Sequence, residues 1–274
     1  MGMRDELVEK IMAEVLKSVG GDNPAKPVET PAKDGGSRPQ AGAAKPVALT
    51  EFVGTAIGDT IGLVIANVDA QLLEVMKTEK KYRSIGIIGA RTGAGPQIMA
   101  ADEAVKATNT EIVAIELARD TKGGAGHGSL IIFGADDVSD ARRAVEVALK
   151  ELDRTFGDVY ANDAGHLEFQ YTARASYACN KAFNAPVGKA FGLIVGGPAA
   201  IGLLIADAAV KSANVDVIGY ASPGGGTSYS NECIAMVSGD SGAVRQAIIT
   251  ARDVGLQALG ALGGTPASLT KPYI

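Results

Sequence analysis

The stretch Ala100–Val113, AADEAVKATNTEIV, is written a second time with small changes at Ile205–Ile218, IADAAVKSANVDVI. Ala101/Ala206, Asp102/Asp207, Ala104/Ala209, Val105/Val210, Lys106/Lys211 and Asn109/Asn214 are identical pairs. Outward from this core, SIGIIG at Ser84–Gly89 faces AFGLIVG at Ala190–Gly196. GADDVSDARRAV faces SGDSGAVRQAI, with Arg142 opposite Arg245, and EFVGTA at Glu51–Ala56 is set against EFQYTA at Glu168–Ala173. The match is collinear over roughly a hundred residues, which makes chance a poor explanation. This is a tandem duplication.

Each copy reads in the same order. An alternating strand (Phe52–Ile57; His166–Arg174) leads into a short helix (Ala70–Thr78; Ser176–Phe183). A buried strand (Ser84–Ala90; Val187–Val195) and a small-residue helix (Pro96–Ala107; Pro198–Ala213) follow. Two further strands are joined by a Gly-rich loop, Ala118–Gly128 in the first copy and Ala221–Tyr229 in the second, and a closing helix ends each copy (Val138–Asp153; Gly242–Ala261). Strands alternating with helices predict an α/β layered domain, made twice, over 47–155 and 156–274.

Residues 1–46 have a different character. In Arg4–Val19 the apolar residues Leu7, Val8, Ile11, Met12, Val15, Leu16 and Val19 fill one half of a helical wheel, and Glu6, Glu9, Lys10, Glu14 and Lys17 the other. Gly20-Gly21 stops this helix. Asp22–Pro46 holds five prolines and Val28 as its one sizeable apolar residue, a composition that cannot offset the entropy of ordering. An amphipathic helix on such a tether reads as a docking peptide; packing against its own domain is the alternative.

Composition excludes several classes. With 26 Lys+Arg against 31 Asp+Glu and a net charge of -5, the chain lacks the basic balance of a nucleic-acid binder. Its 46% hydrophobic content is ample for a core, yet no apolar run approaches the roughly 20 residues of a membrane span. The charged first residues do not resemble a secretory signal, and two cysteines, Cys179 and Cys233, suit reduced, buried thiols.

Signals of catalysis are poor. The cluster Gly86, Gly89, Gly93 and Gly95 sits between a strand and a helix but lacks the G-x-G-x-x-G spacing, so it reads as tight turning. There is no metal-ligand spacing, nucleophile elbow or P-loop, and His127 and His166 read as surface and junction residues. No catalytic residue, metal or cofactor is expected. The Gly-rich loops are the remaining candidates: Lys122, Gly123, Gly124, Gly126, His127 and Ser129 in one copy, and Gly224, Gly225, Gly226, Thr227 and Ser228 in the other. Glycine there permits close backbone approach by a solute; a plain hairpin fits equally well.

The repeated ADEAVKATN/ADAAVKSAN, each followed by a strand and a Gly-rich loop, and the stretch GDSGAVRQA at Gly239–Ala247 resemble the bacterial microcompartment shell proteins. A strand and short helix placed before each copy are similar to the tandem, circularly permuted class of that family. The resemblance covers Leu49 to the last residue, and the N-terminal helix and linker are similar in kind. It implies a structural tile: a homotrimer with pseudo-hexameric shape, packed against other shell proteins around enclosed enzymes, in the cytoplasm. It implies edge contacts at Lys106, Asn109, Lys211 and Asn214, with both lysines on solvated helix faces. It further implies pores passing a small diol such as 1,2-propanediol or glycerol, and an N-terminal helix (Leu7, Val8, Ile11, Met12, Val15, Leu16) that holds the enzyme core. An oligomeric small-molecule sensor or enzyme is the competing function.

Overall fold

The computed structural model describes residues 49–78, 81–118 and 128–274. The N-terminal helix with its linker and the loop residues Lys122, Gly123, Gly124, Gly126 and His127 lie outside them. In the first half, β1 (Phe52–Ala56) and β2 (Thr60–Ile65) form a hairpin that leads to helix α1 (Ala70–Val75). Asp69 starts this helix, its carboxylate accepting from Gln71 N at 2.8 Å and Leu72 N at 3.2 Å. Next come β3 (Ser84–Ala90), α2 (Gly95–Ala107), β4 (Glu111–Ala118), β5 (Gly128–Ala135) and α3 (Val138–Thr155). The second half repeats the plan: β6 (Val159–Asn162), β7 (Gly165–Thr172), α4 (Tyr177–Phe183), β8 (Ala190–Gly197), α5 (Ala199–Ser212), β9 (Val215–Ala221), β10 (Cys233–Gly239) and α6 (Ser241–Gly263). A two-residue strand β11 (Ala267–Ser268) then pairs with β6.

Two sheets result, in the orders β1-β2-β3-β5-β4 and β11-β6-β7-β8-β10-β9, and every ladder is antiparallel. The duplication is therefore visible strand by strand, with one correction. β2 lies beside β3 as β7 lies beside β8, so the partner of EFQYTA is Thr60–Ile65 and not EFVGTA. The opening hairpins, β1-β2 and β6-β7, have turns of different length, and a short sequence likeness had bridged the wrong strands.

Each half packs its two longer helices on one face of its sheet. On α3, Ala141, Ala144, Val145, Ala148 and Leu152 are buried, the spacing of a single helix stripe. Gly86 lets this helix come close: an added Cβ would stand 2.7 Å from the Ala141 carbonyl oxygen. On α6 the same stripe is Val244, Ala247, Ile248, Ala251, Gly255 and Leu259.

The opposite faces of the two sheets differ. In the second half, Phe191, Leu193 and Val195 of β8 are buried against Met99 of α2 and Cys179 of α4. In the first half the matching face holds Ile85, Ile87 and Ile132 under α1, and leaves Ile61 exposed. One seam is filled inside the chain; its counterpart has no occupant among the described residues.

Candidate assembly site

The seam is organised by Asp102, whose side chain is completely buried. Its oxygens accept from Ser176 N at 3.0 Å and Cys179 N at 3.1 Å, so an acid on α2 of one half caps α4 of the other. Ser176, the residue before that helix, supplies no side-chain cap of its own. Lys106, one turn further along α2, places Nζ 2.9 Å from Asp102 Oδ2 and 2.9 Å from Glu103 Oε1, with Thr172 Oγ1 at 3.3 Å. Burial works against the charge of Lys106, but hydrogen bonds to Asp102 and Glu103 outweigh it and hold the amine above the usual lysine value.

Lys106 is exposed, as its helix face suggests, but its ammonium is held by these partners rather than left to water. Its side chain is 26% exposed and lines a cleft of about 810 Å3 together with Glu151, Arg154 and Arg174. Lys211 behaves as expected: 74% exposed, with Asp207 at 2.6 Å as its ion-pair partner. Asn109 and Asn214 are both exposed, each just past the end of its helix. Lys106 with Asn109, and Lys211 with Asn214, stand at matching places in the two halves.

The second Gly-rich loop is closed by its own backbone. Ser222 and Gly225 exchange hydrogen bonds of 2.7 and 2.9 Å, and Gly226 takes a φ of 100° that favours glycine. Gly224, Gly225, Gly226 and Ser228 are exposed, whereas Thr227 is turned inward, its hydroxyl donating to the Ser230 carbonyl at 3.1 Å. Ser129 is not a loop residue at all. It lies in β5 between Ala90 and Leu117 and is buried. Neither hydroxyl faces solute in the chain, because strand pairing and loop closure claim those residues first.

Residues 84–163 and 190–264 match the family model of the BMC domain. The chain belongs to this family of bacterial microcompartment shell proteins. The microcompartment shell protein PduB of Citrobacter freundii is 66% identical over 271 residues, covering 98% of this chain and 99% of that one. PduB of Limosilactobacillus reuteri is 55% identical over 227 residues, covering 82% and 95%. Among solved structures, a trimeric microcompartment shell protein PduB is 54% identical with a TM-score of 0.79, covering 82% of this chain and all of that one. EtuB from Clostridium kluyveri is 58% identical with a TM-score of 0.80, covering 84% and 100%. The PduB relatives are named as microcompartment shell proteins rather than for a reaction, and the shell protein described here carries two BMC-domain matches.

Within this shell protein, the sequence concealed what Asp102 does. An acid in an Ala-rich helix was the available signal, but its partners lie 74 and 77 residues away. The cysteines read correctly, since Cys179 and Cys233 are buried and free, and Asp137 accepts from Ser139 N at 3.1 Å to start α3. Burial, and then the neighbouring Asp102, pushes the Cys179 thiol up, which keeps it protonated. His166 is not a plain junction residue, because its Nε2 stands 3.3 Å from a buried carboxylate, Glu232.

Proposed function

We propose that three copies of this shell protein close head to tail into a pseudo-hexameric tile. One comparison supports it above all others. Ile98 and Met99 on α2 are 0% and 1% exposed, whereas their counterparts Leu203 and Leu204 on α5 are 55% and 48% exposed. Likewise Ile112 on β4 is buried under the seam and its counterpart Val217 on β9 is bare; Cys179 on α4 is buried and its counterpart Leu72 on α1 is bare. The exposed set is the seam surface over again, split between the two ends of the chain. Setting α5 and β9 of one copy against α1 and the Ile61/Ile87 face of the next covers both parts, as contiguous apolar patches require. Such a heterologous contact must close into a ring or run on as a fibre. Six similar halves make a ring of three chains, in keeping with the trimeric relative.

Light scattering on the full chain tests this reading. The expected mass is three times 27.9 kDa, and Leu203→Glu with Leu204→Glu should give a folded monomer. A monomeric wild type, or a variant that stays trimeric, would overturn it.

In this reading 47–155 and 156–274 are the two tile domains, and the shell encloses a diol-degrading enzyme set in the cytoplasm, by likeness to the PduB relatives. Tiles meet along the edges marked by Lys106 with Asn109 and Lys211 with Asn214. The Gly-rich loops border the openings through which a small diol passes, and the N-terminal helix reaches the enzymes. Lys106→Ala with Lys211→Ala should weaken growth of trimers into sheets, seen by electron microscopy; normal sheets would remove these lysines from the edge.

A further inference from the structure

A carboxyl pair lies inside the seam and takes no part in the packing described so far. Glu168 projects from β7 and Glu232 from the segment entering β10, and both are buried. They border a space of about 50 Å3 whose other walls include Gly95, Leu117, Phe183 and Leu193, contributed by both halves. That is room for water but not for a large solute. Among the described residues Glu168 Oε1 has no hydrogen-bond partner, and it is aimed at the Gly95 backbone, where an added Cβ would collide with it. Gln170 Nε2 donates to the Thr155 carbonyl at 2.8 Å and favours the charged form of Glu168, and His166 Nε2 stands 3.3 Å from Glu232 Oε2. Among the described residues, α2, β4, α4, β8 and β10 turn only apolar groups or backbone into this space, so Glu168 and Glu232 are its titratable groups and His166 stands behind them.

Strand register shows that the pair is special to this seam. Glu168 occupies the place of Ile61 and Glu232 the place of Gly128, so the joint proposed between copies has neither acid.

We propose that Glu168 is a proton-binding site that locks the seam between the two halves. Protonated, it fills the slot as a neutral acid. Ionised, it sets a second negative charge near Glu232 against apolar walls, and the seam loosens. Burial and then the charge of Glu232 push the Glu168 carboxyl up to about 8 in the closed seam. Opened to water, the group returns to the ordinary glutamate value of about 4.3. Between these values the closed seam binds one proton more than the open one. Closure therefore weakens as pH rises, by about tenfold per unit, and the loss levels off above the closed-state value. The inference does not depend on trimer formation, because the seam lies within one chain.

Hydrogen exchange on the full chain, corrected for the intrinsic pH dependence, reads the opening directly. Protection of the first turn of α2 and of β8 should fall about tenfold per pH unit from pH 6 and level off near 8. Glu168→Gln should hold it constant. Glu232→Gln removes the like charge, so the levelling should move to lower pH. Constant protection in the wild type, or a wild-type slope in Glu168→Gln, would overturn the proposal. Where Glu168→Gln does not fold, levelling of Glu232→Gln at the wild-type pH would do the same.

Discussion

Lys106 and Lys211 occupy the same place in the repeat yet do different work. Lys106 neutralises a carboxylate that has no access to water, and removing one partner of such a pair leaves an uncompensated charge. The N–H groups of Ser176 and Cys179 still face Asp102, so Lys106→Ala should cost about 2 kcal/mol in urea denaturation. Lys211→Ala removes an exposed pair and should cost no more than about 0.5 kcal/mol. Equal losses would contradict this account of the seam. Sequence alone put both lysines on a solvated face, because the groups that bury Asp102 come from the other half of the chain. Gly225 offers a cleaner probe of passage. A Cβ there meets nothing within 4 Å, so Gly225→Trp should leave stability within about 0.5 kcal/mol while lowering diol flux into assembled shells. Unchanged flux would move the passage elsewhere, for instance to the seam.

At the scale of elements, the sequence was most readable where one period ran long. The closing helices α3 and α6 follow from apolar stripes. The short hairpin strands were harder: β2, β6 and β11 carry two to six residues each, too few for a pattern to stand out from neighbouring glycines. The proposed N-terminal helix is read only from the spacing of Leu7, Ile11 and Val15. A helix this short is marginal by itself, so it should order on meeting a partner. Deleting residues 1–46 should leave trimers and shells intact but free the enzyme core, and Leu7→Glu with Ile11→Glu should do the same. A core that still co-purifies with shells made from the deleted chain would show that the helix is not the link.

For the whole molecule, the duplication was legible from Ala100–Val113 and Ile205–Ile218 alone, but the seam was not. Which copy of Ile98/Leu203 or Met99/Leu204 is covered depends on how one half sits on the other, and that is a property of three dimensions. In the proposed tile the same contact is used once within the chain and once between chains. Inside the chain Gly95 lies against Glu168; the matching pair across two copies is Ala200 and Ile61. A chain carrying Ala200→Cys and Ile61→Cys, treated with a short thiol cross-linker and run on a denaturing gel, tests this directly. The expected ladder stops at three times 27.9 kDa. A ladder continuing past the trimer, or monomer alone, would contradict the head-to-tail ring.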